Sequence, residues 1–507
     1  MTKGYQSVAV NPIVPGFYPD PTICRVGEDY YLATSSFEYF PGVPIFHGRD
    51  LVTWTQIGNV LDRESQVDLR KAVGSGGIFA PTLRHHGDRF WLVTTNQAQM
   101  ARGHLIVWAE DPAGPWSDPV FTEGALGVDP DLAWDENGDC YLTWSTFGDA
   151  SVILQARCDP YTGSLLSPPR QLWSGTGLAA PEAPHLYRRD GWWYLLIAEG
   201  GTARGHAVSV ARSRSIEGPY EGNPANPILT HRSLAGPVQN VGHADLVELP
   251  SGAWAGVYLG VRPRGFAPQY HVNGRETFLA AVGWEDGWPV FDEGHYAVPR
   301  VDTTFVDEFE GGRLRSEWIS RAGDPRTFAA VTADGLALRG PDEASGEHEF
   351  VAVRARDEEW SAEAVVRAGS ASLILWLDSW HWARVGVHGD GIRVEVAVGD
   401  IRQTLAEAPA LPDATVTLAI RATRAAPVPG RITGAPDRLA FGVVEAGGFR
   451  SLAELDGRYF STEVAGGFTG RVIGIGAAAG GATVARFAYA PLRTAEDSSD
   501  AAAAYAF

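Results

Sequence analysis

No stretch of about 18 consecutive apolar residues occurs in this chain, so nothing in it has the length of a membrane-spanning helix. Cysteine is scarce as well. Cys24, Cys140 and Cys158 are the only three in 507 residues, they show no metal-ligand spacing, and at least one must stay unpaired. That excludes a disulfide scaffold and implies reduced thiols in a cytosolic protein. Clusters of Lys and Arg are missing, and the formal net charge is −20. Nucleic acid and anionic membranes are therefore excluded as partners, because both require concentrated positive charge. The opening MTKGYQSVAVNPIVPGFYPDP lacks a long apolar core and meets proline early, so the expectation is no secretory signal and a cytoplasmic location. Long amphipathic helical patterns are hard to find.

What is present points to β-structure. The chain carries 59 Gly, 33 Pro, 17 Trp and 16 Tyr, with 45% hydrophobic and 20% charged residues. That composition fits many short strands joined by turns in a soluble globular protein. The length calls for two or more domains.

A repeat runs through the first three hundred residues. Five times a small anchor is followed by an apolar strand, a polar turn and an aromatic-rich strand: YPDPTICRVGEDYYLATSS, FAPTLRHHGDRFWLVTTN, VDPDLAWDENGDCYLTWST, APEAPHLYRRDGWWYLLIAEGG and GHADLVELPSGAWAGVYLG. The turns GED, HGD, ENGD, RDG and PSG are hairpin signals. Further strands such as HLIVWAED, SVILQARCDP and HAVSVARS follow them. Each unit is about four strands in roughly 50–60 residues, the scale of a propeller blade. Five units predict a five-bladed β-propeller over residues 1–303.

In a propeller the first strand of each blade lines the central channel. The anchors Asp20, Ala80 with Pro81, Asp129, Glu182, and His243 with Asp245 should then converge. Asp20 between Pro19 and Pro21 could be a simple turn residue. Three acids at the same position in separate blades argue for more. Two carboxyl groups facing across a pocket can cleave a glycosidic bond, one protonating the leaving oxygen and the other activating water or attacking the sugar. A third can help hold the acid protonated. Asp131 and Asp135 read as turn residues.

The motifs resemble those of glycoside hydrolase family 43, in its β-xylosidase and α-L-arabinofuranosidase branch. FYPDPTICRVGEDYYLATSSFEYFPGVPIFHGRDLVTW, SGGIFAPTLR, DPDLAWDENG, EAPHLY with IAEGGT, GHADLVE, and GRETFL with WEDGWPVF appear in the family's order and span nearly the whole chain. The resemblance implies Asp20 as general base, Asp129 as pKa modulator and orienting acid, and Glu182 as general acid. It implies an inverting mechanism, with base and acid about 6.5–9.5 Å apart. Arg262 in LGVRP matches an arginine near the bound sugar, and Phe37 in SSFEYF matches an aromatic wall. Phe79 stands where relatives often carry Trp. His243 resembles a channel histidine that approaches a calcium ion through water in some relatives. That leaves room for a structural Ca2+ in the channel, with no cofactor required for catalysis.

The expected activity is exo-acting release of terminal xylose from xylo-oligosaccharides, with α-L-arabinofuranosidase action on arabinoxylan fragments as the alternative. A non-catalytic sugar-binding propeller would have lost an anchor acid, and all three are present. The motifs of a retaining fructan hydrolase are absent. Self-association as a homo-oligomer is left open.

After WEDGWPVFDEGHYAVP the composition shifts to alternating runs rich in Ala, Val and Gly, among them LILWLDSWHWARVGV, IRVEVAVGD and ATVTLAIRAT. Residues 304–493 resemble the concanavalin-like β-sandwich attached to many family 43 β-xylosidases, with LDGRYFSTEVAGGFTGRVIG as its closing motif. The resemblance implies that this domain packs on the propeller and narrows its mouth. Trp376, Trp380 and Trp382 read as sandwich core rather than a sugar platform. The tail 494–507 is low in complexity and expected to be mobile.

Overall fold

A computed structural model describes residues 11–492 apart from 149, 266, 322, 341–348, 390, 410–414 and 427–433. The expected tail lies outside the described residues. Alternating short strands punctuated by Gly and Pro give five four-stranded antiparallel sheets, arranged as the blades of a propeller. Their innermost strands are Thr22–Val26, Thr82–His86, Val128–Trp134, Glu182–Arg189 and Gln239–Glu248. The hairpin turns read from the sequence join each inner strand to the next, as in Val26↔Asp29 and His86↔Arg89.

No blade has a core of its own. Apolar side chains on facing blades interlock instead, giving one buried cluster at each of the five seams. The seam that closes the ring joins Tyr18, Ile23 and Leu32 of blade 1 to Val247, Ala255 and Val257 of blade 5. The segment before blade 1 adds to this closure, since Ile13 N–H donates to the Thr277 carbonyl at 2.9 Å.

The axial channel is plugged by polar residues, one from each blade. Arg84 of blade 2 bridges Asp131 of blade 3 and Asp245 of blade 5, each at 2.8 Å. Thr22 of blade 1 donates to Asp245 at 2.7 Å, and His185 Nδ1 of blade 4 lies 3.0 Å from Arg84. Both carboxylates are fully buried, and their charge is answered in place by the guanidinium. Asp131, read as a turn residue, therefore belongs to a hub that ties the ring together.

The last blade ends at Asp292 and the sandwich begins to pair at Phe305. Two long strands, Trp360–Asp378 and Val472–Pro491, run antiparallel along almost their whole length. Register shifts between 365 and 371, opposite Gly480 and Gly481 at positive φ, bend this ribbon. One half of Trp360–Asp378 pairs with Val416–Thr423 and the other with His381–His388, so a single strand serves both layers. The sandwich also recruits the propeller. Tyr39 and Phe40, leaving blade 1, pair with Arg321 and Ser320 as an added strand.

Candidate active site

Asp20 lies two residues ahead of its inner strand, Asp129 is the second residue of its own and His243 stands midway along its strand, and all three adopt the left-handed region, with φ of 56°, 51° and 50°. In blade 4 the residue after Glu182, Ala183, does the same at 51°. Ladder irregularities accompany them at Val128/Asp131, Glu182/His185 and Gly242/Asp245. Such a bulge re-aims a side chain that would otherwise follow the strand's alternation. Backbone strain of this kind concentrates at functional sites. Here it turns the anchors into one cavity of ≈350 Å³ at the channel mouth, lined by Asp20, Asp129, Glu182 and His243 together with Phe37, Phe79 and Ala80.

The three acids are held differently. Asp20 is 5% exposed and accepts hydrogen bonds from Ser35 Oγ and from Arg275 Nη1 at 2.9 Å. Burial works against its charge. The Arg275 guanidinium, His243, the Ser35 hydroxyl and His206 together outweigh burial and hold its pKa below the usual carboxylate range. Glu182 goes the other way. Burial first, then the negative charge of Asp20, push it up to about 7, with Arg275 opposing. Asp129 is also raised, by burial and then by Glu182 and Asp20, while the Ala183 N–H that it accepts at 3.2 Å favours its charge. The charge of Glu182 opposes the ionisation of Asp129, so the two titrate as a pair rather than independently. His243 Nδ1 lies 3.6 Å from Asp20 Oδ1, and burial depresses its pKa to about 3, leaving a neutral ring at working pH.

The sequence named one arginine and the cavity holds another. Arg262 does not line the cavity: its guanidinium is locked in a two-pronged ion pair with the buried Glu276, through Nε at 2.6 Å and Nη2 at 2.9 Å. Arg275, the residue just before the strand that Glu276 opens, turns the other way and meets Asp20 and Thr202.

The other residue that sequence reading missed comes from the sandwich. Phe468 crosses onto the propeller and lines the cavity, its ring stacked on Phe37 at 6.0 Å and edge-on to Phe79 at 6.4 Å. Its N–H donates to Ser75 Oγ at 2.8 Å, and the preceding Glu463 accepts from His271 N and Nδ1 at 3.0 and 2.6 Å. Phe37 and Phe79 are thus two sides of a three-ring aromatic wall.

Among the described residues no three His, Cys, Asp or Glu side chains form a group that could hold a metal. His185, next to His243 in the channel, is engaged by Arg84. Trp376 and Trp382 are core, at 1% and 5% exposure, whereas Trp380 is 54% exposed and departs from the core reading.

Comparison with known proteins agrees with this geometry. A family model described as glycosyl hydrolases family 43 matches residues 9–289, and one for the β-xylosidase C-terminal concanavalin A-like domain matches residues 306–492. A xylosidase/arabinosidase of Butyrivibrio fibrisolvens is 45% identical over 354 residues, 66% of this chain and 66% of that protein. A non-reducing end α-L-arabinofuranosidase of Bacteroides ovatus is 40% identical over 344 residues, 65% of this chain and 64% of that one. The aligned stretch is thus just under two thirds of the length of these relatives. Among solved structures, a xylan β-1,4-xylosidase from Bacillus halodurans C-125 superposes with a TM-score of 0.83 at 30% identity, covering 95% of this chain and 99% of that chain. The chain belongs to glycosyl hydrolase family 43.

Proposed function

We propose that the protein is an inverting, exo-acting β-xylosidase that removes terminal xylose from xylo-oligosaccharides. One observation carries the reading: in a single cavity Asp20 is held ionised while Glu182 is held protonated to about pH 7. That division of labour is what acid-assisted attack by water requires. A terminal sugar is proposed to enter this cavity by its end, against the wall made by the Phe37, Phe79 and Phe468 rings. Asp20 takes a proton from a water that attacks the anomeric carbon on the face opposite the leaving oxygen. Glu182 gives its proton to that oxygen as the C–O bond breaks, releasing an alcohol and a pentose of inverted configuration. Solvent then returns the proton from Asp20 to Glu182. Asp129 is assigned to orient the sugar and to support the protonated state of Glu182, and the Phe37, Phe79 and Phe468 rings to pack on the sugar. Proton NMR of the first-formed pentose, read before mutarotation, tests the mechanism: an inverted anomer is expected, and a retained one would falsify it.

A second reading, α-L-arabinofuranosidase, is favoured by the name of the Bacteroides ovatus relative. Xylopyranosides and arabinofuranosides present similar hydroxyls to such a pocket. Comparing kcat/KM on the two 4-nitrophenyl pentosides decides between them, with the larger value expected for the xyloside.

A further inference from the structure

The two loops that meet at Phe468 have a second cavity beside them. Phe468 itself lines the catalytic pocket, but its neighbours Gly467 and Thr469, with Val73, Gly74 and Ser75 of the propeller, line a separate space of ≈400 Å³ at the seam between the domains. Its remaining wall comes from the sandwich: Arg321, Asp378, Ser379 and Trp380. The volume lies within the range of small-molecule pockets, about 300–1,000 Å³.

We propose that this cavity is a second glycan-binding site, in which one ring of a xylan-type chain stacks on Trp380 while Asp378 and Arg321 hydrogen-bond its hydroxyls. Trp380 is 54% exposed although Trp376 and Trp382 on the flanking strands are buried, and its ring makes no aromatic contact among the described residues. A large exposed aromatic on a rigid support is a ready stacking face. The support here is rigid. Asp378 accepts from Trp380 N and His381 N, both at 2.7 Å, and the Trp380 carbonyl accepts from Gly399 N at 2.9 Å. Arg321 contacts the Trp376 ring at 5.8 Å, and its guanidinium has no hydrogen bond among the described residues, so its N–H groups are free to donate. One carboxylate and one guanidinium in the same cavity cancel in net charge, which suits a neutral polyhydroxyl ligand better than an anion or a cation. The choice of a xylan-type ligand rests on the function proposed above; the cavity does not.

The test uses full-length protein carrying Glu182→Gln, so that no ligand is consumed, run on native gels cast with soluble arabinoxylan. Retardation is expected to fall at least fivefold when Trp380→Ala is added. Trp380→Ala in the otherwise native enzyme should change kcat/KM on 4-nitrophenyl β-xyloside by less than twofold, because that small substrate fits the catalytic pocket. Gly74→Leu provides a second route. Gly74 is not at positive φ, and a Cβ there would make only ordinary contact, 3.6 Å from Asp378 Cβ, so a larger side chain fills the cavity without breaking a bond. It too should abolish retardation. Retardation unchanged by either substitution, or absent from the parent protein, overturns the second site. Failure of the native enzyme to release 4-nitrophenol would instead overturn the catalytic reading, and the gel result would stand apart from it.

Discussion

Asp20 and Glu182 are both carboxylic acids in one cavity, and what separates them is their neighbours. Asp20 has a guanidinium and a hydroxyl on its oxygens, whereas Glu182 has burial and a negative charge nearby. Glu182→Gln should therefore remove most activity on xylobiose, whose leaving group needs a proton, and spare far more on an activated aryl xyloside. Equal losses on the two substrates would contradict the assignment. The same substitution has a stability signature. An unfolded glutamate titrates near 4.5 and the native one near 7, so between those values the native state keeps a proton that the unfolded state releases. Stability must fall as pH rises through that window. Glu182 is also partly open to the cavity, and water there screens the effect. Glu182→Gln should then stabilise the protein by about 1–2 kcal/mol at pH 8 and not at pH 4. Thermal melts at the two pH values read the difference. Arg275 acts on both acids in one direction, lowering each. Arg275→Ala should shift both limbs of the kcat/KM profile toward higher pH, and Arg275→Lys should restore them in large part.

At the scale of elements, the site is made of strand starts and two loops. Much of this was legible. Pro19 and Pro21 around Asp20, and the repeated acid ahead of an apolar run, mark the inner strands in the sequence itself. Hairpin turn residues fixed the blade count for a physical reason, since strand alternation and turn chemistry are local properties. Arg262 came from the resemblance of LGVRP alone, and a motif match cannot say which arginine faces the cavity, because that is set by its ion-pair partners in the fold. The hub was invisible for a related reason: Asp131 reads as a turn residue unless Arg84, 47 positions away, is known to meet it. Phe468 lay beyond reach because nothing local says that a sandwich loop ends on a propeller. That loop has little slack. Gly467 is at φ 85°, and a Cβ there would fall 2.5 Å from Ser75 Oγ. Phe468→Ala removes one side of the aromatic wall and leaves the acids in place. KM on xylobiose should rise about tenfold, with a smaller fall in kcat, as expected for a packing surface used before and during reaction. A drop in kcat alone would assign Phe468 a different role.

For the whole molecule, the question is whether two domains are also two folding units. Interfaces between domains of one chain often resemble transient contacts and permit relative motion. This one does not have that character. Tyr39 and Phe40 are hydrogen-bonded into the sandwich sheet, and Phe17, Phe37 and Tyr39 share one buried cluster with Trp376, Trp382, Phe350 and Val472. Arg354 of the sandwich, 2% exposed, places its guanidinium over the rings of Phe17 and Tyr18 at 4.6 and 4.5 Å. Removing the sandwich would strip this cover from the segments that carry Asp20 and Phe37, and would take Phe468 from the pocket. A chain ending at residue 303 should therefore be aggregation-prone, with at least a hundredfold loss of activity on the aryl xyloside, even though all three acids remain. The full chain should melt in a single calorimetric transition, because neither domain can open without exposing the shared cluster. Two resolved transitions, or a soluble and active propeller fragment, would show that the seam is only a contact. In that case the aromatic wall would have to be rebuilt from propeller residues alone, and Phe468→Ala in the full chain would leave KM unchanged.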